Sequence, residues 1–268
     1  MAHHRLADAV ELLAEFGYRG VAVTIDHHAL PPDEPGTPDQ LDRLRTQLQR
    51  HRMRTVIETG ARFLLDPNVK HEPTLVSSSD DARRRRVAFY RHAIDCAARL
   101  GADCVSIWSG VVRDGATRDE AVERLRHGLA DVLGYADQQD VTLGFEPEPG
   151  MFIDTLARFE ELLGAIDHPR LGLTLDVGHV HCQCEGSLGG QIRRWADRLV
   201  NVHLDDARRG RHEHLMLGEG EIDFTEVFAA LTDARYAGGV YVELSRHSHI
   251  APEAARRAME YCRPWIEP

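Results

Sequence analysis

Four short β-type runs, VTLGFE, LGLTLD, LVNVHL and VYVEL, each end on or one residue past a carboxylate or an imidazole, and a helical segment follows each run. The residues are Glu146, Asp176, His203 and Glu243, separated by 30, 27 and 40 positions. Apolar strands that alternate with helices indicate a parallel sheet covered on both faces. If the four runs are parallel strands of one barrel, their side chains converge on the carboxyl-end rim, where barrel enzymes place their chemistry. Three carboxylates and one imidazole at one edge form a site for a single divalent cation. Mg²⁺ or Mn²⁺ suits such an oxygen-rich set, which tolerates an imidazole, and Zn²⁺ is possible. The expectation is a metal-dependent enzyme.

The rest of the chain keeps the same alternation. VAVTID, TVIE and CVSIW add three strands, giving seven, and eight helical segments surround them. One begins at Thr37-Pro38 as N-cap and first helical residue. A long one runs from Ser79 to Gly101, and another follows Thr117. The reading is an α/β chain, a (β/α)8 TIM barrel over residues 1–268 as one domain, lacking the first strand because the sequence opens on a helix. This predicts a gap between the first and last strands, an edge that must be managed; a homodimer would cover it. The stretch after His203, LDDARRGRHEHLMLGEGEIDF, reads as a loop, and RRRR at 83–86 reads as a solvated helix face.

Composition narrows the partners. A formal charge of −11 argues against nucleic acid. No apolar run approaches a membrane span. Five cysteines without a pairing pattern suggest a reducing, cytoplasmic setting. Lysine occurs once, at Lys70 in a loop-like stretch. A Schiff-base mechanism needs a desolvated lysine, so that class of barrel enzyme is disfavoured.

Several other residues are candidates for a pocket around the four ligands. His179 stands three positions after Asp176 in LTLDVGHVH. His212 and His214, two apart, could face the same way. With His179 they could hold a second metal, bind substrate hydroxyls or organise the loop, and the residues leave these open. Arg208 could clamp a substrate oxygen, in competition with Arg209 and Arg211. Glu58 could accept a hydrogen bond from a hydroxyl, and Trp108 could form an apolar wall. His27 and His28, after the first strand, could line the same pocket. Pro147, Glu148 and Pro149 shape the turn after Glu146.

The ordered set FEPEPG, LTLDVGH, VNVHLDDA, LGEGEIDF and YVELSR resembles the xylose-isomerase-like TIM-barrel superfamily across nearly the whole chain. Sugar and sugar-phosphate isomerases and epimerases, inosose dehydratases and endonuclease IV belong to it. The resemblance implies that Glu146, Asp176, His203 and Glu243 hold one Mn²⁺, Mg²⁺ or Co²⁺ ion, with Glu146 and Glu243 as the two acid–base glutamates. The implied reaction is isomerisation or epimerisation of a small polyhydroxylated carbonyl compound through an enediolate. Dehydration of a keto-cyclitol would use the same site, and phosphoester hydrolysis is a third possibility. Two departures stand out. The ketose 3-epimerases carry a further substrate-binding glutamate about six residues after the first ligand, where this chain has Phe152. The nuclease branch has further histidines at strand ends that carry Glu58 and Ser109 here.

Overall fold

The computed structural model describes residues 1–266. Helix α1 (Leu6–Glu15) leads into β1 (Gly20–Thr24), α2 (Thr37–His51), β2 (Arg54–Glu58), α3 (Asp80–Leu100), β3 (Val105–Ile107) and α4 (Arg118–Gln138). Then follow β4 (Leu143–Phe145), α5 (Leu156–Ala165), β5 (Leu171–Asp176), α6 (Val177–Cys182), α7 (Leu188–Arg194) and β6 (Leu199–Leu204). A hairpin of β7 (Asp206–Arg208) and β8 (Arg211–Leu215) comes next. The chain closes with α8 (Phe224–Asp233), β9 (Val240–Val242), a 3₁₀ turn (Ser245–Ile250) and α9 (Ala251–Ile266).

Seven strands pair in parallel in the order β1-β2-β3-β4-β5-β6-β9, the expected barrel with one strand fewer than eight. Helix starts are set by local chemistry. Thr117 and Glu120 form a reciprocal capping box at α4. Ser79, Thr155, Ser187 and Asp223 cap α3, α5, α7 and α8. Outward strand residues such as Val23, Ile57, Ile107, Phe145, Leu173 and Val202 are buried in the main core, which the helices cover.

Successive strand residues point to opposite faces, so the positions two before the rim ligands also face the barrel axis. Low in the barrel, Val56, Cys104 and Tyr241 form a small separate cluster with Ala22 and Val200. Above them Ser106 Oγ donates to Thr174 Oγ1 (3.2 Å), and Asn201 Nδ2 donates to Glu58 Oε1 (3.3 Å). The interior thus passes from apolar to polar to charged toward the rim.

The β5–β6 ladder carries a bulge. Leu173 pairs with Leu199, but Thr174 pairs with Asn201, so Val200 is the extra residue. Its side chain occupies space left by two glycines: a Cβ at Gly172 would stand 2.5 Å from Val200 Cγ1, and one at Gly144 would stand 3.2 Å from Cγ2. Past the bulge Asp176 pairs with His203, placing two candidate ligands side by side.

β1 and β9 are the two ends of the sheet. The seam between them is filled by side chains. The Tyr241 ring lies against Gly20, where a Cβ would stand 3.3 Å from it, and Arg54 Nη1 donates to the Ala237 carbonyl (2.5 Å).

Three expectations need correction. The described residues contain nine α-helices rather than eight: α6 follows β5 without a loop, because Asp176 Oδ1 accepts the His179 backbone N–H (2.8 Å) and caps a helix at the strand end. The stretch after His203 is partly the β7–β8 hairpin, turning at Gly210 with φ +72°. Asp206 braces its base by accepting backbone N–H groups from Gly218, Gly220 and Ile222. In the arginine run, Arg86 is buried. Its guanidinium lies against Phe89, Tyr90 and Trp108 and donates to the carbonyls of Pro73 and His71.

Candidate active site

Glu146 follows β4, Asp176 ends β5, His203 lies near the end of β6, and Glu243 follows β9. One ligand atom from each lies within 4.8 Å of all the others. Glu146, Asp176 and His203 are buried, while the Glu243 side chain is 37% exposed and opens the cluster to solvent. His203 Nδ1 stands 3.2 Å from Glu146 Oε1 and 3.0 Å from Glu243 Oε2. Asp176 Oδ2 is buried without a hydrogen-bond partner, although Oδ1 is engaged in capping α6. An unpaired buried carboxylate oxygen is costly. Its position among two more carboxylates and an imidazole fits a divalent cation.

The family described as xylose isomerase-like TIM barrel matches residues 10–265. The chain belongs to that family. It is 22% identical over 263 residues to L-ribulose-5-phosphate 3-epimerase UlaE of Escherichia coli (strain K12), covering 97% of this chain and 88% of that protein. Among solved structures, the fold is similar to 3-keto-D-glucoside 4-epimerase YcjR from E. coli, with TM-score 0.79 and 15% identity over 97% of this chain and 95% of that one. It is also similar to D-allulose 3-epimerase from Methylomonas sp., with TM-score 0.75 and 18% identity over 97% and 91% of the two chains.

Within this family member, His203 is clamped from behind. Its Nε2 donates to Glu58 Oε1 (3.0 Å), which leaves Nδ1 facing the other ligands. A carboxylate behind a ligating histidine fixes its tautomer and orientation. Glu58, expected to face a substrate hydroxyl, thus has Oε1 on His203 and Asn201. Without a cation, burial opposes a charge on His203, but Glu146 and Glu58 outweigh it and raise its pKa well above the ordinary value. Burial also works against the charge on Glu243, but the His203 hydrogen bond and charge hold its pKa low.

A second group adjoins the first. Ring nitrogens of His179, His212 and His214 lie within 4.8 Å of one another, so α6 and β8 do bring the three imidazoles together. His179 Nδ1 donates to the Pro147 carbonyl (3.2 Å). Burial opposes protonation of His179, but Asp176, Glu148 and Glu146 outweigh it and raise its pKa to about 10. Burial and the neighbouring His179 and His214 lower His212 to about 4. His214 Nδ1 stands 2.8 Å from Asp205 Oδ2. Asp205, between β6 and β7, in turn presses on Gly178, where a Cβ would stand 2.1 Å from its carboxylate, so this contact with α6 requires glycine.

The remaining candidates are spread out. Trp108 is buried after β3, with the Arg86 guanidinium 4.9 Å from its ring centroid and the His71 ring at its edge. Arg208 is engaged on the hairpin side: it donates to Glu213 Oε2 (3.2 Å) and to the Glu219 carbonyl (3.0 Å). His27 and His28 are exposed in the tight turn between Asp26 and Ala29. His28 lines a cavity of about 530 Å³ with His3, His4 and Gln40, to which none of the four ligands contributes. The sequence reading missed the reach of Glu148, whose carboxylate joins Glu146 and His179. The prolines on either side of it were the available signal, because they stiffen the turn that carries it.

Proposed function

We propose that this protein is a divalent-metal-dependent isomerase or epimerase of a sugar, sugar phosphate or cyclitol-type polyhydroxy carbonyl compound. The convergence of Glu146, Asp176, His203 and Glu243 within 4.8 Å, with Asp176 Oδ2 left unpartnered, carries this reading. The epimerase names of several relatives support it. Those four residues would hold the ion, which would supply Lewis acidity at the substrate oxygens beside the reacting carbon. Glu146 and Glu243 would remove a carbon-bound proton and return one. Glu58 keeps His203 in register, and the surrounding imidazoles offer hydrogen bonds to hydroxyls.

The test begins with elemental analysis of protein purified without added metal or chelator. It continues with a mass-resolved screen of L-ribulose, L-ribulose 5-phosphate, D-tagatose, D-allulose and a keto-cyclitol. One equivalent of Mn, Mg, Co or Zn per chain with a product of unchanged mass is the expected result. A product lighter by one water would move the assignment to a dehydratase. Two or three equivalents with phosphate release would move it to hydrolysis. Absence of metal, and of uptake on titration, would overturn the reading.

A further inference from the structure

Glu148 is a carboxylate with no assigned task. It sits in the turn Glu146–Pro147–Glu148–Pro149–Gly150, which is pinned on several sides. The Glu148 N–H donates to the Ile153 carbonyl (3.2 Å), and the Met151 N–H donates to the Glu148 carbonyl (3.0 Å). The Phe152 N–H donates to the Gly110 carbonyl (2.8 Å), and the Ile153 N–H donates to Ser109 Oγ (3.0 Å). The side chain therefore leaves a fixed backbone.

Its two oxygens face two imidazoles. Glu148 Oε2 is 3.6 Å from His179 Nε2, and Oε1 is 3.7 Å from His212 Nε2. Both separations are too long for a direct hydrogen bond. Both nitrogens are buried without a partner, and His179 is only 3% exposed. Unsatisfied buried polar atoms of this kind call for a ligand. The Glu148 side chain is 23% exposed, so the three groups are reachable from the mouth of the site, and Glu148 also touches the Glu146 cluster.

A group that fits must donate to a carboxylate and meet imidazole nitrogens as acceptor or donor. A hydroxyl does both. An ionised phosphate or carboxylate oxygen only accepts, so it cannot donate to Glu148. The resemblance to ketose 3-epimerases places a glutamate at position 152, and here Phe152 packs against the core.

We infer that Glu148, with His179 and His212, forms a subsite for one uncharged substrate hydroxyl beside the reacting carbons, and that Glu148 sets the preference for a hydroxyl there. This rests on the polyol-type substrate of the proposed function, but it can fail independently. The experiment uses Mn²⁺-loaded full-length protein and xylitol as an unreactive probe, with affinity read by calorimetry in the wild type, Glu148→Gln, Glu148→Ala and Glu148→Asp. Metal content and melting temperature are followed in parallel. Expected is at least a tenfold loss of xylitol affinity in Glu148→Gln and Glu148→Ala, with partial recovery in Glu148→Asp and unchanged metal content. Equal affinity in all forms, or no xylitol binding by the wild type, overturns the subsite. Loss of metal in Glu148→Ala also overturns it, because Glu148 would then be a ligand. Exchange of carbon-bound hydrogen into D₂O from D-allulose, D-tagatose and L-ribulose by the wild type is measured separately. Glu148-dependent xylitol binding with no exchange from any of them would sink the isomerase reading and leave the subsite standing.

Discussion

Two clusters of titratable groups share the rim, and they are finished to different degrees. In the cluster of Glu146, Asp176, His203 and Glu243, His203 has a carboxylate on each side of its ring: Glu58 behind, and Glu146 and Glu243 in front. In the neighbouring cluster, His179 and His212 have unpartnered Nε2 atoms and face Glu148 across gaps of 3.6 and 3.7 Å. The first arrangement is oriented by contacts within the protein. The second leaves its hydrogen-bonding capacity for something from outside.

The largest effect that would test this contrast is at Asp176. Asp176→Ala is expected to abolish metal retention and turnover together, read by elemental analysis and the substrate screen. A variant that keeps its ion would show that the first cluster is not the ligand set. Glu243→Gln comes next. It should lower kcat by about 10²–10⁴-fold, the usual worth of a general acid or base, with the melting temperature preserved. Full activity would remove Glu243 from proton transfer. Glu58→Gln weakens the clamp without touching the cation, and its expected cost is about 10–100-fold in metal affinity or activity. An unchanged affinity would mean that Asn201 and the barrel wall hold His203 unaided.

The smallest effect concerns an imidazole outside both clusters. Burial is the main cause that pushes His71 down to about 4, against its hydrogen bond to the Ala61 carbonyl. Its folded pKa is below the unfolded value of about 6.5. The stability that this neutral ring contributes is therefore complete above pH 6.5 and is lost as pH falls from there through 4. The melting temperature should decline over that window, and His71→Gln should remove part of the decline. Superimposable curves for the two proteins would assign the slope to other groups.

Much of this was legible because strands carry their polarity in order. Glu146, Asp176, His203 and Glu243 each interrupt an apolar run at its carboxyl end, and a parallel barrel turns that shared position into proximity. The role of Glu58 was not legible, since its partner His203 lies 145 positions away and nothing local fixes which ring nitrogen it meets. Helix α6 was missed because its start depends on one Asp176 side-chain bond. Arg86 was misread from its charge. Its spacing to Phe89, Tyr90 and Ala93 repeats at helical period, and all four are buried on one face of α3. A guanidinium stacked on three rings and bonded to two carbonyls can sit inside a core.

The Val200 bulge sets the parity of β6. Side chains alternate along a strand, so whether Val200 is paired or skipped decides which way the imidazole points. Were Val200 paired with Thr174 in a regular ladder, Asp176 would stand opposite Val202 and His203 would turn toward the helices. Gly144 and Gly172 leave the room that lets the extra residue remain. The skipped pairing of one apolar residue, three positions before His203, thus sets the side of the sheet on which the imidazole meets Asp176.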